Sequence, residues 1–191
     1  MKSFSFGGGV LFLAVFFWAN LAQATTVLNV PLEQMTREST VILHGRVEAQ
    51  QVVQEVGTDR ILTLTAVEVL SPIKGIAKNE VVTLYQVGGT LDGRTMNVIG
   101  ALKFHEGEEF ILFGVRFREM VVSYGMGLGK YAVNLVNGTK SVAPEFGNVQ
   151  RVEPDGKGGY KAATLTPPKA ESLEAFIERV QGLAGVQGGA Q

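Results

Sequence analysis

Alternating hydrophobic and polar positions dominate the middle of the chain and predict β-strands. In "RILTLTAVEVL" (Arg60–Leu70), the odd-numbered positions from Ile61 to Val69 form one face and the even-numbered positions from Leu62 to Leu70 form the other. Both faces carry apolar residues at one end, which is typical of a strand covered on both sides. Further strands are predicted at Thr40–Glu55, Val81–Val87, Glu108–Phe117, Glu119–Gly125, Lys130–Val136 and Tyr160–Thr164, with a short one at Thr95–Ile99.

Short turns separate these strands. "EVGTD" (Glu55–Asp59) contains the glycine typical of a hairpin connection. Asn137–Gly138, between strand-like residues, is the strongest short hairpin signal in the chain. Another hairpin is predicted across Glu153–Gly159. The central strands have no helix-length segment between them, so an antiparallel Greek-key barrel or sandwich is expected.

A helix is predicted on each side of the strands. Val30–Thr40 can form about two turns, with Pro31 near the start. After Pro167–Pro168 the tail is amphipathic, with apolar residues at 3–4 spacing: Leu173, Phe176, Ile177, Val180 and Leu183. This helix could dock on a partner or pack on its own barrel, and self-packing is favoured. The expected organisation is a barrel at 25–166, the helix within 167–185 and a disordered tail at 186–191.

The first 24 residues have the pattern of a secretory signal peptide. Lys2 precedes the apolar run "VLFLAVFFWA" (Val10–Ala19), and small residues at Ala22 and Ala24 favour cleavage after Ala24. The alternative is a membrane anchor, but the run is shorter than the roughly 20 residues needed to cross a bilayer. Export to a periplasm or the extracellular space is therefore expected.

Charge and cysteine content exclude several functions. Removing 24 of 191 residues leaves 167, and removing Lys2 leaves 16 of the 17 basic residues against 18 acidic ones. A near-neutral chain lacks the positive charge that nucleic acid demands. The chain has no cysteine, which excludes disulfides, thiol catalysis and thiolate metal sites.

Several segments together resemble a known group of barrels. These are "VILHGRV", "VEVLSPIKG", "EVVTLYQVGG" and "FHEGEEFILF", followed by a Gly-Lys-aromatic strand. In this order they resemble the small secreted OB-type barrels of the netrin-like and metalloproteinase-inhibitor group, and more closely uncharacterised exported bacterial domains of the same pattern. The resemblance covers roughly Thr40 to Val136 and implies an OB-like barrel.

The same resemblance sets a limit on function. The animal inhibitors place an N-terminal cysteine against the protease zinc, whereas this chain has no cysteine and its expected mature N-terminus is Thr25. That inhibitory mechanism cannot be carried over. The bacterial domains imply no established activity.

The glycine-rich stretch "SYGMGLGKYAV" (Ser123–Val133) invites comparison with a phosphate-binding loop. A Walker loop needs four residues between its first glycine and the Gly-Lys pair, and Ser or Thr after the lysine, but this chain has Tyr124 and Tyr131 at those two positions. A strand rather than a helix is predicted to follow, which also argues against a dinucleotide site. The stretch is interpreted as a glycine corner between two strands.

Two further segments contain candidate chemistry. "HEGEE" (His105–Glu109) could suggest a metal, but the second histidine of H-E-x-x-H is missing and His44 could reach it only through the fold. A polar turn is favoured. "LDGRTMN" (Leu91–Asn97), in the long loop Gly88–Gly100, is the best candidate contact surface, with Asp92, Arg94 and Asn97 as candidate binding residues.

The leading hypothesis is an exported, non-enzymatic binding module. No catalytic, metal or cofactor residue is predicted. The alternatives are an accessory protein or inhibitor of an exported protease, and a weak hydrolase whose site the sequence does not reveal. An exported protein is a candidate partner, nucleic acid is not expected, and no membrane attachment is expected after signal cleavage. Ligand and oligomeric state stay open.

Overall fold

The structure is a computed structural model that describes residues 26–145, 150–163 and 171–185. The predicted signal peptide, the Pro167–Pro168 break and the tail at 186–191 lie outside these ranges. Within them the protein is mainly β with two helices, as the alternating pattern predicts.

The elements follow the chain in a simple order. They are β1 (Thr26–Leu28), α1 (Leu32–Glu38), β2 (Val41–Gln54), β3 (Ile61–Lys74), β4 (Val81–Val87), β5 (Gly89–Leu91), β6 (Arg94–Met96), β7 (Glu109–Phe117), β8 (Met120–Ser123), β9 (Lys130–Val136), β10 (Thr139–Pro144), β11 (Gln150–Pro154), β12 (Tyr160–Ala162), β13 (Glu171–Ser172) and α2 (Leu173–Gly185). The hairpins predicted at Glu55–Asp59, Asn137–Gly138 and Glu153–Gly159 are confirmed as the β2–β3, β9–β10 and β11–β12 connections.

The largest sheet is organised around β2. This strand pairs with β3 on one side and β7 on the other, and β3 pairs with β4. Strand β8 pairs antiparallel with β7 and meets β4 through the single pair Leu84↔Val121. On its far side β7 is extended by β9, β10 and β13. A separate sheet has the order β1-β11-β12, and β5 pairs with β6.

Two pairings differ from the antiparallel expectation. Strands β1 and β11 are parallel, and so are β4 and β8. In each case the partners are far apart in sequence, so intervening strands provide the crossover that a helix provides in a βαβ unit.

One face of the large sheet encloses an inner core. Its residues come from β2, β3, β4, β7 and β8, together with the segment after β6, and all are nearly inaccessible. They include Val41, Leu43, Val47, Val67, Val69, Val82, Leu84, Leu102, Phe104, Phe110, Leu112 and Val121.

The opposite face of β2 and β7 is covered by both helices. This outer core contains Met35 of α1, Ile42 and Phe113 of the sheet, and Phe176 and Val180 of α2. The Phe176 ring lies 4.9 Å from the Tyr131 ring and 6.5 Å from the Phe113 ring, centroid to centroid. The predicted packing of the C-terminal helix on its own sheet is confirmed, and the helix buries its apolar stripe there.

The glycine corner is also confirmed. A side chain at Gly129 would place its Cβ 2.4 Å from the Phe113 carbonyl oxygen, and one at Gly127 would lie 2.4 Å from the Gly100 carbonyl oxygen. Both glycines permit the backbone between β8 and β9 to touch other chain segments. Neither helix in the described ranges is long and apolar enough to cross a membrane.

Truncating Phe176 tests the outer core. Phe176→Ala should lower the free energy of unfolding by about 3–5 kcal/mol, because it removes a buried ring that contacts two other rings. Urea denaturation measures the change. The control is Leu135→Ala, whose side chain is 72% exposed and which should change stability by less than about 0.5 kcal/mol. Equal effects of the two substitutions would contradict this packing.

Candidate functional site

The predicted binding loop is a hairpin rather than an irregular segment. Strands β5 and β6 pair from Gly89↔Met96 to Leu91↔Arg94, and the turn residues Asp92 and Gly93 have positive φ angles of 49° and 76°. An Asp-Gly pair at such a turn is the ordinary signal for a two-residue hairpin. The short strand expected at Thr95–Ile99 lies instead at Arg94–Met96, and β5 at Gly89–Leu91 was not predicted. The hairpin was missed because its two strands have only three residues each.

The three candidate residues of that segment do not form one site. Asp92 and Arg94 are exposed at the hairpin end, where the Arg94 guanidinium donates to Gln54 Oε1 at 3.5 Å. Asn97 instead lines a cleft of about 370 Å³ beneath the hairpin, together with Gln50, Gln86 and other residues. Asp92 and Arg94 at the hairpin tip are therefore separated from the cleft that Asn97 lines.

The "HEGEE" segment is a polar turn, and two of its carboxylates, Glu108 and Glu109, bind other side chains of the fold. The exposed His105 has its Nδ1 3.5 Å from Glu108 Oε2, and its backbone N–H donates to the same oxygen at 2.9 Å. His44 does reach the segment, because pairing of β2 with β7 brings its Nε2 to 3.1 Å from Glu109 Oε2. In the described part of the chain, no group of three or more His, Asp or Glu residues could hold a metal.

Glu109 links His44 to a lysine on β10. Lys140 Nζ donates to both Glu109 oxygens, at 2.7 and 2.9 Å. Burial lowers the pKa of His44 below its ordinary 6.5, although Glu109 partly offsets this. Burial alone would raise the pKa of Glu109, but the hydrogen bonds from Lys140 and His44 outweigh it and leave that pKa below 4.5. Glu109 thus joins a buried histidine and a half-exposed lysine in one hydrogen-bonded network.

Lys130, the lysine of the glycine-rich stretch, is completely buried. Its Nζ lies 2.5 Å from Glu108 Oε1 and 2.9 Å from Glu145 Oε2, and it donates to the Lys103 carbonyl at 2.6 Å. The same ammonium lies 4.7 Å from the centroid of the Phe104 ring. With its donors occupied, Lys130 has no N–H left for a phosphate. The rejection of a phosphate loop thus has a structural reason.

An open groove lies on the outer face of the sheet, away from the two helices. It measures about 670 Å³ and lies between the β2–β3 turn and the β7–β8 turn. Its apolar lining comes from five strands and one turn: Val53, Val56, Leu62, Tyr85, Val87, Phe117, Met120 and Val122. Val56 is 97% exposed and Phe117 44% exposed. Exposed apolar residues grouped in a groove are typical of an interaction site.

One wall of the groove is fixed by a carboxylate. Glu55 accepts hydrogen bonds from Thr58 Oγ1 at 3.0 Å, from Arg60 Nε at 2.6 Å and from Tyr85 Oη at 3.2 Å. The Thr58 bond is the main reason that the pKa of Glu55 is lowered. On the opposite side, the Arg118 guanidinium lies 5.3 Å from the centroid of the Phe117 ring, which is itself 5.7 Å from the Tyr85 ring.

A second, smaller depression continues the groove. It has a volume of about 190 Å³, shares Tyr85, Val87 and Val122 with the groove, and ends at Met126, which is 57% exposed. Arg118 and Met126 both have positive φ angles, of 56° and 61°. Long side chains rarely adopt this backbone conformation, and such outliers concentrate where a side chain has a role.

Sequence patterns did not identify this groove. The available signal was apolar residues at outward positions of β4 and β8, such as Tyr85, Val87 and Val122, in strands whose other face is buried. Apolar residues on both faces of a strand indicate that both faces are apolar surfaces. They do not show whether the outer face packs against another part of the chain or forms a groove.

Comparison with known proteins finds no family model, no curated protein and no solved structure that matches this chain.

Substituting Lys130 tests the buried ion cluster. Lys130→Ala should cost about 3–5 kcal/mol of unfolding free energy, because two carboxylates and a carbonyl lose their shared cation. The matched control is Lys161→Ala, which removes an ion pair whose lysine is 60% exposed and should cost about 0–1 kcal/mol. Urea unfolding compares the two. Equal losses would show that the cluster is not held by Lys130.

The buried His44 predicts a pH dependence of stability. Its pKa is lower in the folded than in the unfolded protein, so the unfolded state binds more protons and stability falls as pH decreases below about 6.5. His44→Gln should flatten the stability profile as the pH falls below 6.5, the ordinary pKa of histidine. His105→Gln, at the exposed histidine, is the control and should keep the wild-type slope. An unchanged slope in His44→Gln would contradict the assignment.

Proposed function

We propose that the protein is an exported, non-enzymatic binding module and that the open groove is its binding site. The observation that carries this proposal is the outer face of β3, β4 and β8, which no helix of the described residues covers and where apolar side chains line a surface groove. Elsewhere on the sheet, α1 and α2 cover the equivalent face. Export is proposed from the first 24 residues alone.

An OB-like Greek-key barrel is the proposed architecture. Three consecutive antiparallel strands, β2, β3 and β4, are followed by β7, which returns beside β2, and this order is that of a Greek key. The pairing of β8 with both β7 and β4 supports closure of the ring. In OB folds, ligands bind on the face of the second and third strands between two turns, and the groove has the corresponding position here. This support is consistent with the resemblance to exported OB-type domains.

The arrangement favours binding over catalysis. The groove has an apolar floor, a fixed wall at Glu55 and a guanidinium at Arg118, which are recognition elements. The buried ionisable groups, Lys130 and His44, have their nitrogens engaged by carboxylates elsewhere.

An anionic aromatic dye, 1-anilinonaphthalene-8-sulfonate, tests the groove directly. The native protein should enhance its fluorescence, and Phe117→Ala should weaken binding by roughly tenfold, since it removes an exposed aromatic contact surface. The control is Leu135→Ala, at an exposed residue that does not line the groove. Near-UV circular dichroism checks that both variants remain folded. Unchanged binding by Phe117→Ala, or no enhancement by the native protein, would overturn the proposal.

A further inference from the structure

We infer that the groove binds an extended peptide segment of a partner protein in which an aromatic or large aliphatic side chain stands next to a carboxylate. The inference rests on the proposed function and specifies its ligand. Three observations support this inference: the net charge of the groove lining, the backbone conformation of Arg118 and the shape of the groove.

The charges on the groove walls leave one guanidinium uncompensated. The lining contains three ionised side chains, Glu55, Arg60 and Arg118. Glu55 and Arg60 neutralise each other at 2.6 Å. Arg118 makes no ion pair with a carboxylate in the described part of the chain and contacts the Phe117 ring instead. The groove is thus apolar with a net charge of +1, which complements an apolar ligand with a negative charge.

The conformation of Arg118 places this charge at a defined position. It occupies the two-residue turn between β7 and β8, where Phe117 pairs with Met120, and its φ angle is 56°. Glycine, asparagine or aspartate adopts this backbone more easily than arginine. Its guanidinium lies over the Phe117 ring, 5.3 Å from the centroid, and a cation–π contact does not use the N–H donors. These donors can hold a carboxylate through two hydrogen bonds.

The aromatic contact lies beside that charge. Phe117 and Tyr85 are 5.7 Å apart with their ring planes at 51°, and both line the groove next to Arg118. The hydrogen bond from Tyr85 to Glu55 fixes the Tyr85 ring before any ligand arrives. A preformed aromatic surface loses little entropy on binding. A large apolar side chain and a carboxylate must therefore be neighbours in the ligand.

The shape favours a peptide over other ligands of this chemistry. The groove is an open trough between two turns, long enough for several residues of an extended chain. Its side at Gln54 and Thr58 is held in place by internal hydrogen bonds, from Gln54 Nε2 to the Thr58 carbonyl and from Thr58 Oγ1 to Glu55. Fatty acids favour enclosed cavities that bury most of the ligand. Single-stranded nucleic acid needs a row of cations along its backbone, whereas one uncompensated guanidinium lines this groove.

Fluorescence anisotropy with short labelled peptides tests the inference on the purified protein. The probes are an alternating Asp-Phe peptide, an alternating Lys-Phe peptide and an alternating Asp-Ser peptide. The Asp-Phe peptide should bind, and the other two should bind at least roughly tenfold more weakly. Arg118→Glu should reverse the preference towards the Lys-Phe peptide, and Arg118→Gln should abolish the discrimination by charge. The control is Lys157→Glu, the same charge change at an exposed residue of the β11–β12 turn.

Several results would overturn the inference. One is equal binding of the Asp-Phe and Lys-Phe peptides. Another is an unchanged preference in Arg118→Glu. Tighter binding of oligo(dT) or dodecanoate than of the Asp-Phe peptide would assign the groove to nucleic acid or lipid. If the peptide fails to bind while the dye still binds and Phe117→Ala weakens it, this inference fails and the proposed function stands. If the dye also fails, both are wrong.

Discussion

The neutralisation of Lys130 is the interaction on which the interior of this protein depends. An ammonium with no exposed surface is tolerated only because two carboxylates, a carbonyl and an aromatic ring surround it. Those partners come from separate places: Lys103 and Phe104 from the segment after β6, Glu108 from the turn before β7, and Glu145 from the end of β10. Lys130 thereby connects the segment at Lys103–Phe104, which lies over the inner core, to strands β9 and β10. The glycine corner brings Lys130 to this position.

The large sheet is apolar on both faces, and the two faces are used differently. The inner face encloses the core around Phe110 and Leu112. Half of the outer face is covered by α1 and α2, which pack on Ile42 and Phe113. The other half, around Tyr85 and Val122, has no such cover in the described ranges and forms the groove. The proposed binding surface is thus the part of the outer face that α1 and α2 do not cover.

Much of the fold was predictable from local patterns. The alternation at Ile61–Leu70, the Asn-Gly hairpin and the amphipathic stripe of α2 depend on neighbouring residues, and each is found as expected. The pairings of β1 with β11 and of β4 with β8 join distant segments, so no local pattern encodes them. The Asp92–Gly93 turn was misjudged because its flanking strands have only three residues each.

The candidate site was less predictable than the fold. Asp92, Arg94 and Asn97 were selected because they lie in the longest segment predicted to be irregular, yet the β5–β6 hairpin directs Arg94 and Asn97 to different surroundings. The groove combines side chains from two turns and several strands. Its net charge depends on which arginine forms an ion pair with a carboxylate. Arg60 meets Glu55 and Arg118 meets none in the described residues. Such pairing is a property of the folded surface.

The single pair Leu84↔Val121 is the narrowest junction in the large sheet. Few backbone bonds join β4 to β8 there, so local opening at this seam costs less than elsewhere in the sheet. Tyr85 and Val87 lie on one side of the seam and Met120 and Val122 on the other, and all four line the groove. A bound ligand would therefore clamp both sides together. Ligand binding at the proposed site and the pairing of β4 with β8 would then be thermodynamically linked, and each would favour the other.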